Sequence, residues 1–205
     1  MREKQVLPVV VVGLTAALVA VIALWTLDRV TGPDQAASSQ DGSVEVIEWK
    51  LVTTWPKGLP GLGAAPENFA RRVNEASGGR LRIKVFGAGE IVPAFEVFDA
   101  VSRGVAEAGH GAAYYWKGKI PASVFYTAVP FGMTAQEANG WLHYGGGLEL
   151  WRELYAPFGV VPFAGGSTGV QMAGWFNIRL NSRDDLEGLK MRIPGLAGEV
   201  FDAAG

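Results

Sequence analysis

The sequence predicts an α/β fold built on an open, doubly wound sheet, and three observations carry that prediction. Residues 47–52 alternate apolar and polar side chains, as a half-buried strand does. Residues 80–85 alternate again, with Leu81, Ile83 and Val85 on one side. A helix-length segment lies between them, and strand, helix, strand at this spacing makes a βαβ unit with parallel pairing.

The elements follow in order. Thr53-Thr54-Trp55-Pro56-Lys57-Gly58-Leu59-Pro60-Gly61 is a loop dense in Pro and Gly. Pro66 then opens a helix whose inner face carries Phe69, Val73 and Ala76, and Gly78-Gly79 stops it. The pattern repeats: residues 94–102 suit a short helix with Phe98 and Val101 turned inward, and residues 104–111 a small-residue strand. Tyr114-Tyr115-Trp116 sits just beyond it. Residues 123–129 form a further candidate strand, closed by Pro130-Phe131-Gly132. Thr134 is placed to cap a helix over residues 135–154, with Glu137 completing a capping box. That helix carries Trp141, Leu142, Leu148 and Trp151, and Gly145-Gly146-Gly147 breaks it in two. Residues 160–164 and 170–176 read as extended and long enough to cross between two lobes, with Trp175 in core or hinge packing. Ser182-Arg183-Asp184-Asp185-Leu186 begins a helical turn, residues 189–193 form a strand, and residues 196–205 read as a helix cut off midway.

The first thirty residues stand outside this pattern. After the charged opening Met1-Arg2-Glu3-Lys4, no ionisable side chain occurs from residue 6 to residue 27. A run of roughly 20 apolar residues can span a bilayer, and it exceeds the usual core of a signal peptide. Residues 1–30 are therefore expected to be a signal peptide or an N-terminal inner-membrane anchor, with residues 31–46 a linker and the rest exported to the periplasm. A cleavage site is expected near Ala36-Ala37-Ser38.

Composition excludes several kinds of function. The 205 residues contain no cysteine, which removes disulfides, thiolate metal sites and cysteine nucleophiles. A net charge of −2, with both signs interspersed, gives no footprint for nucleic acid. His110 and His143 are the only histidines and lack metal-ligand spacing. Gly165-Gly166-Ser167-Thr168-Gly169 is followed by no Lys-Ser or Lys-Thr, so it reads as a turn rather than a phosphate cradle. With no Gly-x-Ser-x-Gly elbow, an exported hydrolase on this scaffold is disfavoured and no enzyme is expected.

The positive evidence is Gly188-Leu189-Lys190-Met191-Arg192-Ile193-Pro194-Gly195. It sets one arginine in an apolar run ending at a Pro-Gly turn, just before a helix. A guanidinium keeps its charge and grips a carboxylate with two parallel hydrogen bonds. The opening of the following helix adds backbone N–H groups that favour an anion. In open α/β sheets ligands bind outside the carboxyl ends of the strands. Trp55, Tyr114, Tyr115 and Arg192 all fall there, which describes a cleft for a small anion with an organic body.

Several segments also resemble a known family. Thr54-Trp55-Pro56-Lys57-Gly58-Leu59-Pro60-Gly61-Leu62-Gly63, Tyr114-Tyr115-Trp116-Lys117-Gly118-Lys119, Val129-Pro130-Phe131-Gly132, Gly174-Trp175-Phe176 and the arginine segment carry the likeness. They resemble the DctP-type solute-binding proteins of TRAP (tripartite ATP-independent periplasmic) transporters, on the branch that binds 2-oxo acids and related monocarboxylates. The resemblance covers residues 47–205. It implies a two-lobed periplasmic-binding-protein fold, type II-like, with residues 47–165 a complete first lobe that includes the long helix. Residues 166–205 would be a crossing strand and the start of a partial second lobe, so the chain is expected to be a C-terminally truncated fragment.

The function so implied is an extracytoplasmic receptor that captures a small organic acid and hands it to TRAP membrane subunits. Arg192 takes the position of the family's carboxylate-pairing arginine. Gln171 takes that of a glutamine touching both the carboxylate and a metal cation, sodium or calcium, whose other ligands would lie beyond residue 205. A tyrosine of the Tyr114-Tyr115 pair lines the pocket, and no organic cofactor is implied. Homodimerisation of the full-length protein is expected from some relatives. The alternative is a membrane-anchored sensory domain using the same cleft.

Overall fold

The computed structural model describes residues 45–205. The predicted signal or anchor over 1–30, its cleavage site and the linker up to residue 44 lie outside the described residues. Three strands make one sheet: β1 (Ile47–Thr53), β2 (Leu81–Phe86) and β3 (Ala108–His110), in the order β2-β1-β3. Both pairings are parallel, as the βαβ reading predicts, and the register runs Ile47 with Leu81 and Thr53 with His110.

β3 reaches only the last three residues of β1, so the first half of β1 has a neighbour on one side alone. This explains its burial. Ile47 to Lys50 are exposed, whereas Leu51, Val52 and Thr53 are all buried, so the alternation read from sequence gives way to a gradient along the strand. Beside the open edge, the Glu107 carboxylate accepts the Lys50 N–H at 2.6 Å, and that hydrogen bond holds its pKa below the ordinary value.

Helix α1 (Ala64–Ala76) links β1 to β2. It begins two residues before Pro66, because the turn at 59–63 lines up carbonyls for Gly63, Ala64 and Ala65 N–H groups. Pro66 still falls in the first turn, where its missing N–H leaves nothing unpaired. The inward face is Pro66 and Ala70, whereas Phe69 is half exposed, which corrects the predicted face. A 3₁₀ turn, Ala94–Glu96, leads into α2 (Val97–Ser102), which buries Val97, Phe98 and Ala100. The core gathers around it, adding Val52, Ala106, Ala113, Trp116, Ile120 and Tyr155.

Two 3₁₀ segments follow β3, Ala113–Trp116 and Pro121–Tyr126. The second stands where a strand over 123–129 is predicted. Its buried side chains, after Ile120, are Ser123 and Val124, a three-to-four spacing that belongs to a helix and not to a strand. Tyr126 then stacks between Trp141 and Trp151, with ring centroids 5.5 and 4.8 Å away. These tryptophans come from α3 (Ala135–Tyr144) and α4 (Gly147–Tyr155). The predicted Thr134–Glu137 capping box is present, and the helix breaks at Gly146, whose φ of 81° suits glycine.

Beyond the 3₁₀ turn Ala156–Phe158 the chain continues as irregular backbone without joining the sheet. Residues 160–164, 170–176 and 189–193, read as strands from sequence, form no ladder among the described residues. Extended backbone becomes a strand only beside a pairing partner. Gly174 and Met191 do lie side by side, since a methyl on Gly174 would collide with Met191 Cε at 2.4 Å. Trp175, assigned above to packing, is 89% exposed. A last 3₁₀ turn, Arg183–Leu186, carries a Ser182–Asp185 capping box, and α5 (Leu196–Ala204) ends the chain. Among the described residues no helix is long and apolar enough to cross a membrane.

Candidate functional site

The site is assembled where β1 and β3 end together. Thr53, the last residue of β1, turns the chain by using its hydroxyl twice: it accepts the Trp55 N–H at 2.8 Å and donates to the Trp55 carbonyl at 2.9 Å. This local loop fixes the Trp55 backbone at the strand end. Thr54 N–H continues the ladder to the His110 carbonyl at 3.0 Å. The His110 ring then meets Trp55, with centroids 5.1 Å apart.

The 3₁₀ turn after β3 completes an aromatic cluster. Tyr115 lies 6.3 Å from Trp55, 4.9 Å edge-on from Phe95 and 4.7 Å edge-on from Tyr114, centroid to centroid. Edge-on pairs at these distances are favourable contacts and hold the rings in fixed orientations. Trp116, the third member of the aromatic triplet, turns the other way and packs on Phe98 in the core.

The arginine segment comes to this cluster from the far end of the chain. Gly195 lies against Tyr114, so close that a Cβ there would sit 3.3 Å from Tyr114 Cβ and Cγ. Its φ of 70° with ψ of −150° is a conformation that only glycine adopts readily. Arg192 is exposed and lies three residues before Gly195 in the same segment. Burial pushes the Tyr114 pKa up to about 12, Tyr115 adds to the rise, and the Arg192 charge opposes it. Tyr114 is a neutral phenol at physiological pH, as a tyrosine with the ordinary value of 10 already is, and a phenol can donate a hydrogen bond to an anion.

The structure thus brings together Trp55, Tyr114 and Tyr115, and Gly195 carries the Arg192 segment to Tyr114. Gln171 is exposed, and its amide nitrogen donates to Thr168 Oγ1 at 2.6 Å. That leaves Gln171 Oε1 as a single candidate cation ligand. Among the described residues no group of three or more His, Asp or Glu side chains could hold a metal ion. A cavity of about 460 Å³ lies on the other side of the arginine segment, beside α5, lined by Leu189, Met191, Ile193, Gly195, Glu199 and Phe201 among others. Trp55, His110, Tyr114 and Tyr115 are not part of its lining.

Sequence reasoning considered His110 only as a zinc ligand and passed over Phe95. The usable signal for His110 was its place as the last residue of a strand ending beside β1. Its Nδ1 is buried without a hydrogen-bond partner, and the Gly165 backbone covers the other edge of the ring. Burial lowers the His110 pKa from 6.5, so the folded state favours the neutral ring. The unfolded chain then takes up the proton first on acidification. His110 stabilises the fold fully above pH 6.5 and loses that contribution as pH falls through its depressed folded value. Urea midpoints measured from pH 7.5 down to pH 5 are expected to decline below about pH 6.5, with the decline flatter in His110→Gln. Identical pH profiles for the two proteins would contradict this assignment.

Three comparisons bear on this arrangement. A profile of the bacterial extracellular solute-binding proteins, family 7 (DctP), matches residues 51–205. The chain is 46% identical over 186 residues to a monocarboxylate 2-oxoacid-binding periplasmic protein of Nostoc sp., covering 91% of this chain and 51% of that protein. Its fold is similar to a TRAP periplasmic solute-binding protein from Colwellia psychrerythraea, solved with bound calcium and pyruvate. The TM-score is 0.76 at 48% identity, over 78% of this chain and 49% of that one. A Pseudoalteromonas atlantica counterpart, solved with sodium and pyruvate, matches with a TM-score of 0.75 at 49% identity, over 78% of this chain and 49% of that one. The chain spans about half the length of the relatives it matches.

Proposed function

Because the chain belongs to the DctP family of bacterial extracellular solute-binding proteins, a family of binding receptors and not of enzymes, we propose that it captures a small organic acid for uptake. The acid is a 2-oxo acid or similar monocarboxylate, held outside the cytoplasm and passed to TRAP membrane subunits. In this reading residues 47–165 carry the first lobe, and residues 166–205 the crossing strand and the opening of the second. Residues 1–30 deliver the chain to the periplasm or hold it at the inner membrane.

One observation supports the reading above the others: the segment that bears Arg192 packs through Gly195 on Tyr114, at the edge of an aromatic cluster built on the carboxyl ends of parallel strands. Arg192 pairs with the carboxylate, and neutral Tyr114 donates a hydrogen bond to it. Trp55 and Tyr115 cover the organic part. Gln171 releases Thr168 and turns its amide toward the acid, with Oε1 the one cation ligand assigned to these residues. Gln171 Oε1 would help to hold a cation, sodium or calcium as in the related structures, which would supply further positive charge to the site. The ligand favours a closed arrangement only to the extent that it touches both lobes there.

Calorimetric titration of the intact polypeptide with pyruvate tests this. Saturable binding is expected, weaker with acetate, which lacks the 2-oxo group, and lost with the uncharged methyl ester. Equal affinity for the methyl ester would remove carboxylate capture from the reading.

A further inference from the structure

The turn that carries Tyr114 has two lysines, and they reach in different directions. Lys119 pairs with Asp99 of α2, which ties the turn to its own side of the fold. Lys117 instead pairs with Glu199 of α5, 82 positions away in sequence. Glu199 follows directly from the segment that bears Arg192, with only the Pro194-Gly195 turn and the first residues of α5 between them. These segments thus meet in an ion pair at one end and in Gly195 against Tyr114 at the other.

We propose that Lys117 and Glu199 form a latch that holds the Arg192 segment against Tyr114 and so sets how long the acid stays bound, without touching it. The site it serves is the one proposed above, and the inference rests on that reading. A plain alternative is that Glu199 only favours the N-terminus of α5, being in its first turn. That role needs no lysine, so changing Lys117 separates the two. The side chains are partly exposed, at 34% and 59%, so solvent screens the pair and its effect is modest.

The test uses the intact polypeptide carrying Lys117→Met, Glu199→Gln, both together, and the reversed pair Lys117→Glu with Glu199→Lys. Lys119→Met serves as the control that breaks the neighbouring pair. Two readouts are taken: amide hydrogen exchange over residues 196–204 without ligand, and the pyruvate dissociation rate by stopped flow. Each single change is expected to raise both by about 2–5-fold, the size of one partly screened ion pair. The double change should be no worse than either single one, and the reversed pair should recover much of the loss. Selectivity among 2-oxo acids should stay as it is, and Lys119→Met should leave residues 196–204 unaffected. Unchanged exchange over 196–204 in Lys117→Met overturns the latch, whatever the ligand does. If exchange responds as expected but the unaltered protein takes up no 2-oxo acid, the latch contact stands and the receptor reading falls.

Discussion

Arg192→Lys is expected to weaken pyruvate binding about 10–100-fold although the charge is kept. A charge-assisted hydrogen-bonded pair contributes roughly 1.5–3 kcal/mol net, and 1.4 kcal/mol is a factor of ten in affinity. Lysine offers a compact point charge where arginine offers a planar fork, so it cannot reproduce two parallel hydrogen bonds to one carboxylate. Arg192→Ala should lose at least as much. Arg192 is exposed, so neither change should disturb the fold. Calorimetry with pyruvate, paired with thermal unfolding of each variant, separates lost binding from lost structure. Full affinity in Arg192→Lys would take this side chain out of the site.

The largest effect on stability is expected at Phe98. Its side chain is 4% exposed and meets Trp116, Tyr155 and Phe158 at centroid distances of 5.3, 5.0 and 5.3 Å. It therefore joins α2, the 3₁₀ turn after β3 and the end of α4. Phe98→Ala removes a ring from a site whose neighbours are other rigid rings, so little can collapse into the void. The loss should be about 3–5 kcal/mol, a large part of the ~5–15 kcal/mol that holds a typical domain together. Urea unfolding should show a lower midpoint with an unchanged slope. A midpoint shift under about 1 kcal/mol would mean that this cluster is not the centre of the core.

What could be read from sequence was what local chemistry decides. β1 and β2 announced themselves by alternation, and the Thr134 capping box needed only four residues to declare itself. The break at Gly145-Gly146-Gly147 followed from backbone freedom alone. The misreadings arose where a distant partner decides. Residues 123–129 have strand-like composition, yet Tyr126 is drawn between two tryptophans from later helices, and no local rule announces that. Residues 189–193 have no ladder partner among the described residues, and pairing is a property of two segments. Phe69 was misplaced because Ala70, the smaller side chain, takes the buried position on α1.

The site shows the same division. Trp55, Tyr114 and Tyr115 were legible because topology puts the carboxyl ends of parallel strands at one edge. The Arg192 segment comes to the same cluster through Gly195, which lies against Tyr114. His110 and Phe95 were missed, since their part in the cluster depends on ring packing across segments far apart in sequence.

The sheet order also has a consequence in time. β1 is made first yet occupies the centre, and both of its neighbours come later in the chain, the second only at His110. A nascent polypeptide cannot complete this sheet until about half of the present sequence has left the ribosome. Pairings that span such distances form slowly.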